Sequence, residues 1–524
     1  MQPYYPSIFN DVIGPVMRGP SSSHCAASIR IGRLARDLMD GRIEEVRVAF
    51  DPASSLATTH ESQGSDMGLF GGFLGWEPDD ERLMEVAKAI KEAGIRVTFE
   101  IKRSGATHPN TYQLRLRRGK EIHEMVALST GGGMIEVVQI DRVPVSMAGD
   151  YFETLLFIES GGEELMEWIK NRVQADDVRL CEGENARFIQ IKTQQRLDEK
   201  TLSEPHLRDA VLSLKKLSPV LPILSRKNME VPFITCEEME LYNDHRDLAS
   251  WELAIEYESQ RGNISKEEVF KKMKRVVQIL QNSVLKGIEG TSYKDRILGH
   301  QSGFFETQMK EKKLLDTGIL NHMILYVTAM MEVKSSMGVI VAAPTAGACG
   351  VLPGACLGAA SAMGLPEDEV IRAMLAAGMI GILISARSTF AAEGGGCQAE
   401  CGAGSGMAAA ALVTLAGGNN RQVIAAASMA LQNVFGMVCD PVASRVEVPC
   451  LGKNVLAVSN ALGCANMALA NYDPVIPLDE VIQAMDRVGR SLPRELRCTA
   501  LGGLSVTKTA KALEGRLQKE EKTL

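Results

Sequence analysis

The sequence predicts a multidomain protein. It has an N-terminal α+β domain over residues 1–150, a small βαββαβ unit of ferredoxin-like plan over residues 151–226, and a mostly α-helical domain over residues 227–524. Three observations lead there. A chain of 524 residues exceeds what one ordinary core organises. Composition shifts near residue 150 and again near residue 226, where strand patterns fade and helical periodicity takes over. Later stretches are rich in Ala, Gly and Met, as in SGMAAAALVTLAGG (405–418) and NVLAVSNALGCANMALA (454–470), the composition of closely packed central helices.

The elements follow in order. Strand patterns occur at VRVAFD (46–51), RVTFEIKR (96–103) and TYQLRLRR (111–118), with the helix DERLMEVAKAIKEAG between the first two, an α/β mixture without strict alternation. From residue 152 the order is strand (FETLLFIES), helix (EELMEWIKNRV), two strands (VRLCEGE, ARFIQIKT), helix (LRDAVLSLKKL) and a last strand (VLPIL). In SKEEVFKKMKRVVQILQNSVLKGIEG (265–290) apolar residues recur every three or four positions, the mark of an amphipathic helix. The most apolar run, AMLAAGMIGILISA between Arg372 and Arg387, is short of the ~20 residues a bilayer span needs and is expected as a buried helix.

Hydrophobic residues at 45% and charged ones at 23% fit a globular protein. A net charge of -8 gives no support to nucleic-acid or anionic-membrane binding, so a small-molecule substrate is expected. The N-terminal stretch MQPYYPSIFNDVIGPVMRG has neither a basic segment followed by an apolar core nor a lipidation signature, and a cytoplasmic location is expected.

Eleven cysteines, an odd count, are read as thiols or metal ligands and not as disulfides. Seven of them (356, 397, 401, 439, 450, 464 and 498) lie after residue 349. No C-x-x-C pair announces a zinc knuckle. Three cysteines instead sit in breaker-rich contexts: Cys397 in GGGCQAE, Cys439 in VCDPV and Cys450 in VPCLGKN. Gly, Asp-Pro and Pro leave backbone N–H groups free for cluster sulfurs. Cys349, Cys356 and Cys464 lie in small apolar runs and read as buried hydrophobes. Spacing alone leaves a gathered metal cluster and ordinary core thiols both open.

The set SSSH, HPNT, STGGG, APTAG, GGGCQAE, CDPV and VPC resembles the iron-sulfur-dependent L-serine dehydratases, with their smaller and larger parts fused in one chain. The resemblance runs from SIFNDVIGPVMRGPSSSH to ALGGLSVTKTAKALEG. It implies a lyase that dehydrates and deaminates a small β-hydroxy amino acid, with L-serine giving pyruvate and ammonia. It also implies a [4Fe-4S] cluster held by Cys397, Cys439 and Cys450 with one iron open to substrate, and no pyridoxal phosphate. Cys401 stands where the family commonly has a small apolar residue, which makes it a neighbour. The middle unit corresponds to an ACT-like module, with a structural or dimerisation role favoured over effector binding, and a homodimer is expected.

The polar candidates are spread along the chain. Ser21, Ser22 and Ser23 offer hydroxyls and amides suited to a carboxylate, or simply a helix cap, and the resemblance raises His24 and His108 to site candidates. Asn110 of HPNT, Ser129, Gly131 and Gly132 of STGGG, and Thr345 and Gly347 of PTAG are substrate-contact candidates that also read as turns. One stretch departs from the family, which reads Lys-Gly-His-Gly-Thr-Asp where this chain has Glu61 to Asp66. Gln63 occupies the histidine's place and cannot serve as a base near neutral pH, while Asp66 is kept. Either His60, His24 or His108 takes the proton, or the substrate is a different hydroxy acid, or the protein is a catalytically weak cluster-bearing sensor.

Overall fold

The structure, a computed structural model, describes residues 4–521 apart from positions 20, 55, 62, 104, 107, 185, 294 and 295. It divides into two compact units, Ser21–Met229 and Met1–Pro20 with Glu230–Leu524.

In the Ser21–Met229 unit a six-stranded sheet runs in the order Arg96–Ile101, Glu45–Phe50, Thr111–Arg118, Glu121–Gly131, Met134–Ile140, Val143–Met147. Only the first pair is parallel. Side chains from Ile122 to Thr130 alternate between buried and half-buried or exposed, as a sheet with one covered face requires. The cover includes the helix Ala27–Leu38, whose Ala27, Ile31, Leu34, Ala35 and Leu38 form one apolar stripe in a cluster with Val46, Val48, Leu114, Met125 and Val137.

The second sheet is antiparallel in the order Val211–Leu217, Phe152–Ile158, Arg187–Thr193, Asp177–Glu182, and its connections give the expected βαββαβ sequence of elements. Both of its faces are covered. Leu156, Ile158, Ile189 and Ile191 pack with Leu165 and Ile169 of its own helix, while Leu155, Phe157 and Phe188 join the core of the first sheet. That shared core explains why no break falls at residue 150, the boundary expected from composition.

The last helix and strand of this sheet differ from expectation. LRDAVLSLKKL is helical only to Ala210, in Pro205–Ala210, and then becomes the strand Val211–Leu217, while VLPIL forms no strand. The apolar spacing Leu207, Val211, Leu214, Leu217 fits a helix. What overrides it is pairing with Phe152–Ile158 and the placement of buried Lys215 between Asp40 at 2.7 Å and Glu121 at 2.5 Å.

The other unit is mostly helical, and the first residues of the chain belong to it. The strand Val16–Arg18 pairs antiparallel with Val339–Val341. The buried Glu258 carboxylate accepts from the Ser7 hydroxyl and, at 2.8 Å, from the Ile8 amide. Tyr257 and Arg261 donate to the Pro6 and Tyr5 carbonyls, each at 2.9 Å. Composition, which placed residues 1–20 with the N-terminal domain, carries no trace of these long-range bonds.

The helix Glu367–Ser385 opens on Glu367, Asp368 and Glu369, favourable at a positive helix end, and is buried from Ala373 to Ile384 as its apolar run predicts. It packs beside Ala403–Leu415 and Ser250–Gly262. Among the described residues, 346–363 is the one helical stretch long and apolar enough to cross a membrane, and 78% of it is buried in the protein.

The N-terminal segment fits this core at glycines. A Cβ on Gly381 would lie 2.1 Å from Val12 Cγ1 and 3.1 Å from Met407 Cε. Gly381→Ala is expected to destabilise the protein by about 1–3 kcal/mol through overpacking. Adding Val12→Ala should recover part of that loss, measured as the urea midpoint of the single and double variants; equal midpoints for the two would contradict the packing.

Candidate metal centre and proton-transfer groups

Cys397 follows a tight turn. Gly396 has φ 71° and ψ -174°, and a Cβ there would stand 2.8 Å from the Met437 carbonyl oxygen and 2.7 Å from Leu492 Cδ1. With that approach open, the Gln398 amide donates to the Met437 carbonyl at 3.0 Å. The buried Gln398 side chain donates to the Met485 carbonyl at 2.6 Å and accepts from the Gly436 amide at 2.8 Å. Cys397 is thereby pinned beside the segment that carries Cys439. The Cys439 amide donates to the Leu496 carbonyl at 2.8 Å, and its carbonyl accepts from the Cys498 amide at 3.0 Å.

Cys450 opens the helix Cys450–Leu469 after Pro449. One turn on, buried Asn454 donates to the carbonyls of Cys450 and Gly347, each at 2.8 Å, and to Cys401 Sγ at 3.5 Å. Its oxygen accepts from the Gly350 amide at 3.1 Å. One side chain therefore ties the PTAG stretch, the Cys397–Cys401 turn and the Cys450 helix together.

The ligand atoms of Cys397, Glu400 and Cys439 lie within 4.8 Å of one another. The Cys439 thiol hydrogen-bonds with those of Cys397 and Cys498, and Cys450 is near enough to Cys397 and Glu400 to interact electrostatically. Cys397, Cys439 and Cys450 are 1%, 3% and 5% exposed. Lys453 directs its ammonium at the Val438 carbonyl (2.6 Å), Asp440 (2.7 Å) and Cys397 Sγ (3.7 Å). Burial pushes the Cys450 thiol up to about 12 and Glu400 up to about 7. Hydrogen bonds with Cys397 and Cys498 raise Cys439, and burial raises Cys401. A set of buried soft thiols with a cation aimed at one sulfur has the donor chemistry of an iron–sulfur site.

Thr345 caps the short turn Ala346–Ala348 and its hydroxyl hydrogen-bonds with Glu400. Gly347 faces the same carboxyl group, 3.1 Å from where its Cβ would be, so the group beside PTAG is itself an acid side chain. Glu400, Lys453, Asp440 and Cys498 escaped the sequence reading. Glu400 sits three residues after Cys397 and Lys453 three after Cys450, spacings that become informative only once the turns are known.

The remaining candidates belong to the Ser21–Met229 unit. His24 is buried, its Nδ1 bonded with Ser21 Oγ at 2.9 Å and its Nε2 with Thr59 Oγ1 at 3.0 Å. Burial lowers it to about 4, which keeps the ring neutral at ordinary pH. The side chains of Ser22 and Ser23 lie outside the described residues. His60 Nδ1 meets Asp66 Oδ1 at 2.7 Å, and its ring stacks on Phe99 with centroids 5.0 Å apart. The hydrogen bond to Asp66 raises the His60 pKa. Gln63 is half-buried, with its amide on the Thr59 carbonyl at 3.0 Å.

His108 organises a turn: its Nδ1 accepts from the Asn110 amide at 3.2 Å and its carbonyl from Thr111 Oγ1 at 2.7 Å. The Asn110 carbonyl accepts from the Ser129 amide at 3.0 Å, and the buried Ser129 hydroxyl has no partner among the described residues. Gly131 and Gly132 form the hairpin between Glu121–Gly131 and Met134–Ile140, with φ of 108° and 60°. The structure thus brings His24 and Ser21 together, and His60 and Asp66 together, while His108, Asn110 and Ser129 share a separate strand-entry turn.

Comparison with known proteins places the chain in a family. The family model described as serine dehydratase alpha chain matches residues 245–505. The probable L-serine dehydratase alpha chain of Bacillus subtilis (strain 168) is 36% identical over 281 residues, 54% of this chain and 93% of that one. The L-serine dehydratase alpha chain of Peptoniphilus asaccharolyticus is 37% identical over 280 residues, 53% of this chain and 95% of its own. L-serine dehydratase 1 of Escherichia coli (strain K12) is 25% identical over 500 residues, 93% of this chain and 96% of its own.

The two histidines respond oppositely to pH. NMR titration should find His24 neutral down to about 4 and His60 protonating above the ordinary value. Because the folded His60 pKa is raised, its contribution to stability is full below about 6.5 and fades as pH rises through the raised value. Asp66→Asn should therefore lower the His60 pKa and destabilise the protein more in mild acid than in alkali; an unmoved His60 resonance would contradict the pair.

Proposed function

The chain belongs to the iron-sulfur L-serine dehydratase family, and from that premise we propose that it is a [4Fe-4S]-dependent lyase that converts L-serine to pyruvate and ammonia. The observation that carries this reading is the gathering of Cys397, Cys439 and Glu400 within 4.8 Å, with Cys450 heading the adjoining helix. Cys397, Cys439 and Cys450 would hold the cluster. When bound through three thiolates it supplies a Lewis-acidic iron that makes the substrate hydroxyl a better leaving group.

This chain's own residues supply the rest. Lys453 stands against Cys397 Sγ and offsets thiolate charge. For the α-proton the best-suited group is His60, whose Nδ1 is fixed by Asp66 so that Nε2 is the atom to accept it. His24 has both ring nitrogens engaged and His108 is spent on a turn. Loss of the α-proton to His60 and of the β-hydroxyl leaves 2-aminoacrylate. That enamine becomes the imine of pyruvate, and water then releases ammonia. Ser21, together with Ser22 and Ser23, remains the proposed contact for the substrate carboxylate.

The Phe152–Leu217 region, with its βαββαβ order, is read as an ACT-like module in a structural role. The free state of all eleven cysteines suits a reducing compartment such as the cytoplasm. Gln63 favours a second reading, a cluster-bearing binding protein that has lost turnover.

Anaerobic reconstitution followed by iron and sulfide analysis and a 2-oxo-acid assay separates the two: iron with no product from any hydroxy amino acid would leave only the binding protein. Cys397→Ser, Cys439→Ser or Cys450→Ser should each lose most of the iron, whereas Cys401→Ser should keep it; iron retained in the first three removes the assigned ligands. If His60 replaces the family's base, His60→Gln should lower kcat by about 10²–10⁴-fold at unchanged iron content. Gln63→His with Glu61→Lys should raise serine turnover if only a base was displaced.

A further inference from the structure

His60 is held from several directions within the Ser21–Met229 unit. Its carbonyl accepts the Ser65 amide at 2.7 Å and the Asp66 amide at 3.3 Å, closing the turn over the left-handed Gly64 (φ 86°). Its Nδ1 meets Asp66 Oδ1, and its Nε2 has no hydrogen-bond partner among the described residues. The imidazole lies against Phe99, with centroids 5.0 Å apart and planes 19° from parallel, and against Phe50, 5.3 Å away at 35°. The charged groups acting on it are Asp66, from the helix Ser65–Leu74, and Glu61, its neighbour in the turn. The strands Glu45–Phe50 and Arg96–Ile101 bring it aromatic rings instead.

Phe99 is itself fixed. It stands opposite Val48 in the parallel pair of strands, and its ring is flanked by Phe50 at 6.1 Å and Phe70 at 6.0 Å. Phe50 is fully buried and meets Tyr112 edge-on at 5.6 Å, and the Tyr112 hydroxyl bonds with Ser65 Oγ at 3.1 Å. A single hydrogen bond at Nδ1 leaves a ring free to rock about it, whereas a flat neighbour in contact does not. When Nε2 takes a proton the ring becomes an imidazolium, and the negative face of an aromatic ring attracts a cation held against it. The attraction grows as the proton is transferred, which is the property that lowers a barrier.

We propose that Phe99 is a positioning residue for proton transfer, holding the His60 imidazole in one orientation and stabilising the positive charge that forms on it. The assignment rests on the reading of His60 as the base. Asp66 fixes which nitrogen is open, and Phe99 fixes the plane in which that nitrogen lies.

The test uses full-length protein reconstituted anaerobically, with NMR titration of the histidine rings beside L-serine turnover. Phe99→Leu keeps apolar bulk and removes the flat face. The His60 pKa should then fall by about half a pH unit, and kcat by about 3- to 10-fold at unchanged KM, iron and sulfide. The acid limb of the kcat profile should move down with the pKa. Phe99→Tyr, which keeps the face, should retain both values. A ring-fluorinated phenylalanine in place of Phe99 keeps the shape while draining the negative face, so it carries the test even where Phe99→Leu folds poorly; the His60 pKa should fall as fluorines are added. A His60 pKa unmoved by the fluorinated ring, or a loss in Phe99→Tyr equal to that in Phe99→Leu, overturns the assignment alone. If His60→Gln turns over L-serine at the unsubstituted rate, or the unsubstituted protein forms no 2-oxo acid, the reading of His60 as the base falls and takes the assignment with it.

Discussion

The approach of the Gly396 backbone to Met437 is the constraint on which the candidate centre depends. A side chain at 396 would collide with the Met437 carbonyl, and without that contact the Gln398 amide loses its acceptor and Cys397 its position beside Cys439. Fixing one thiol against another by backbone bonds calls for irregular backbone, because within a helix the amides and carbonyls are spent on one another along the axis and few are left for a neighbour. The structure supplies that backbone where helices end: the turn before Cys397, the bridged strand at Cys439 and the first turn after Pro449. Asn454 then joins the Cys397–Cys401 turn and the Cys450 helix to the stretch Gly347–Gly350 by spending its donors and its acceptor oxygen on them.

Around this frame, charge is distributed with economy. Lys453 answers Asp440 and faces Cys397, so one ammonium both steadies the Val438–Asp440 turn and reduces the repulsion that ionised thiols would feel. Cys498 reaches Cys439 through a left-handed backbone at φ 60°, a conformation held by the paired bonds between Cys439, Leu496 and Cys498. The same logic of opposite environments separates the histidines. His24, buried and bonded only to hydroxyls, is held neutral, whereas His60, given a carboxylate and an aromatic face, favours the charged form.

In the Ser21–Met229 unit, two sheets share one core because the middle strands alternate their apolar residues between two clusters. The sequence marks FETLLFI as a strand, but its unbroken apolar run does not say which face meets which partner. The helix-to-strand change at Ala210 has the same origin. The apolar spacing from Leu207 to Leu217 is that of a helix, and pairing with Phe152–Ile158 and the carboxylates around Lys215 select the strand.

The amino-acid order by itself determined the helical character after residue 226, the strands at 46–51, 96–103 and 111–118, and the identity of three cysteines in helix-breaking contexts. These are local properties, written in periodicity and in the backbone preferences of Gly and Pro. Tertiary structure alone decided that residues 1–20 join the helical unit, that Asp66 belongs to His60, and that Glu400 lies beside Cys397 and Cys439. Each depends on what lies opposite a residue in space, often hundreds of positions away. Glu258 and Ser7 are 251 residues apart, and no local pattern encodes a contact across that distance.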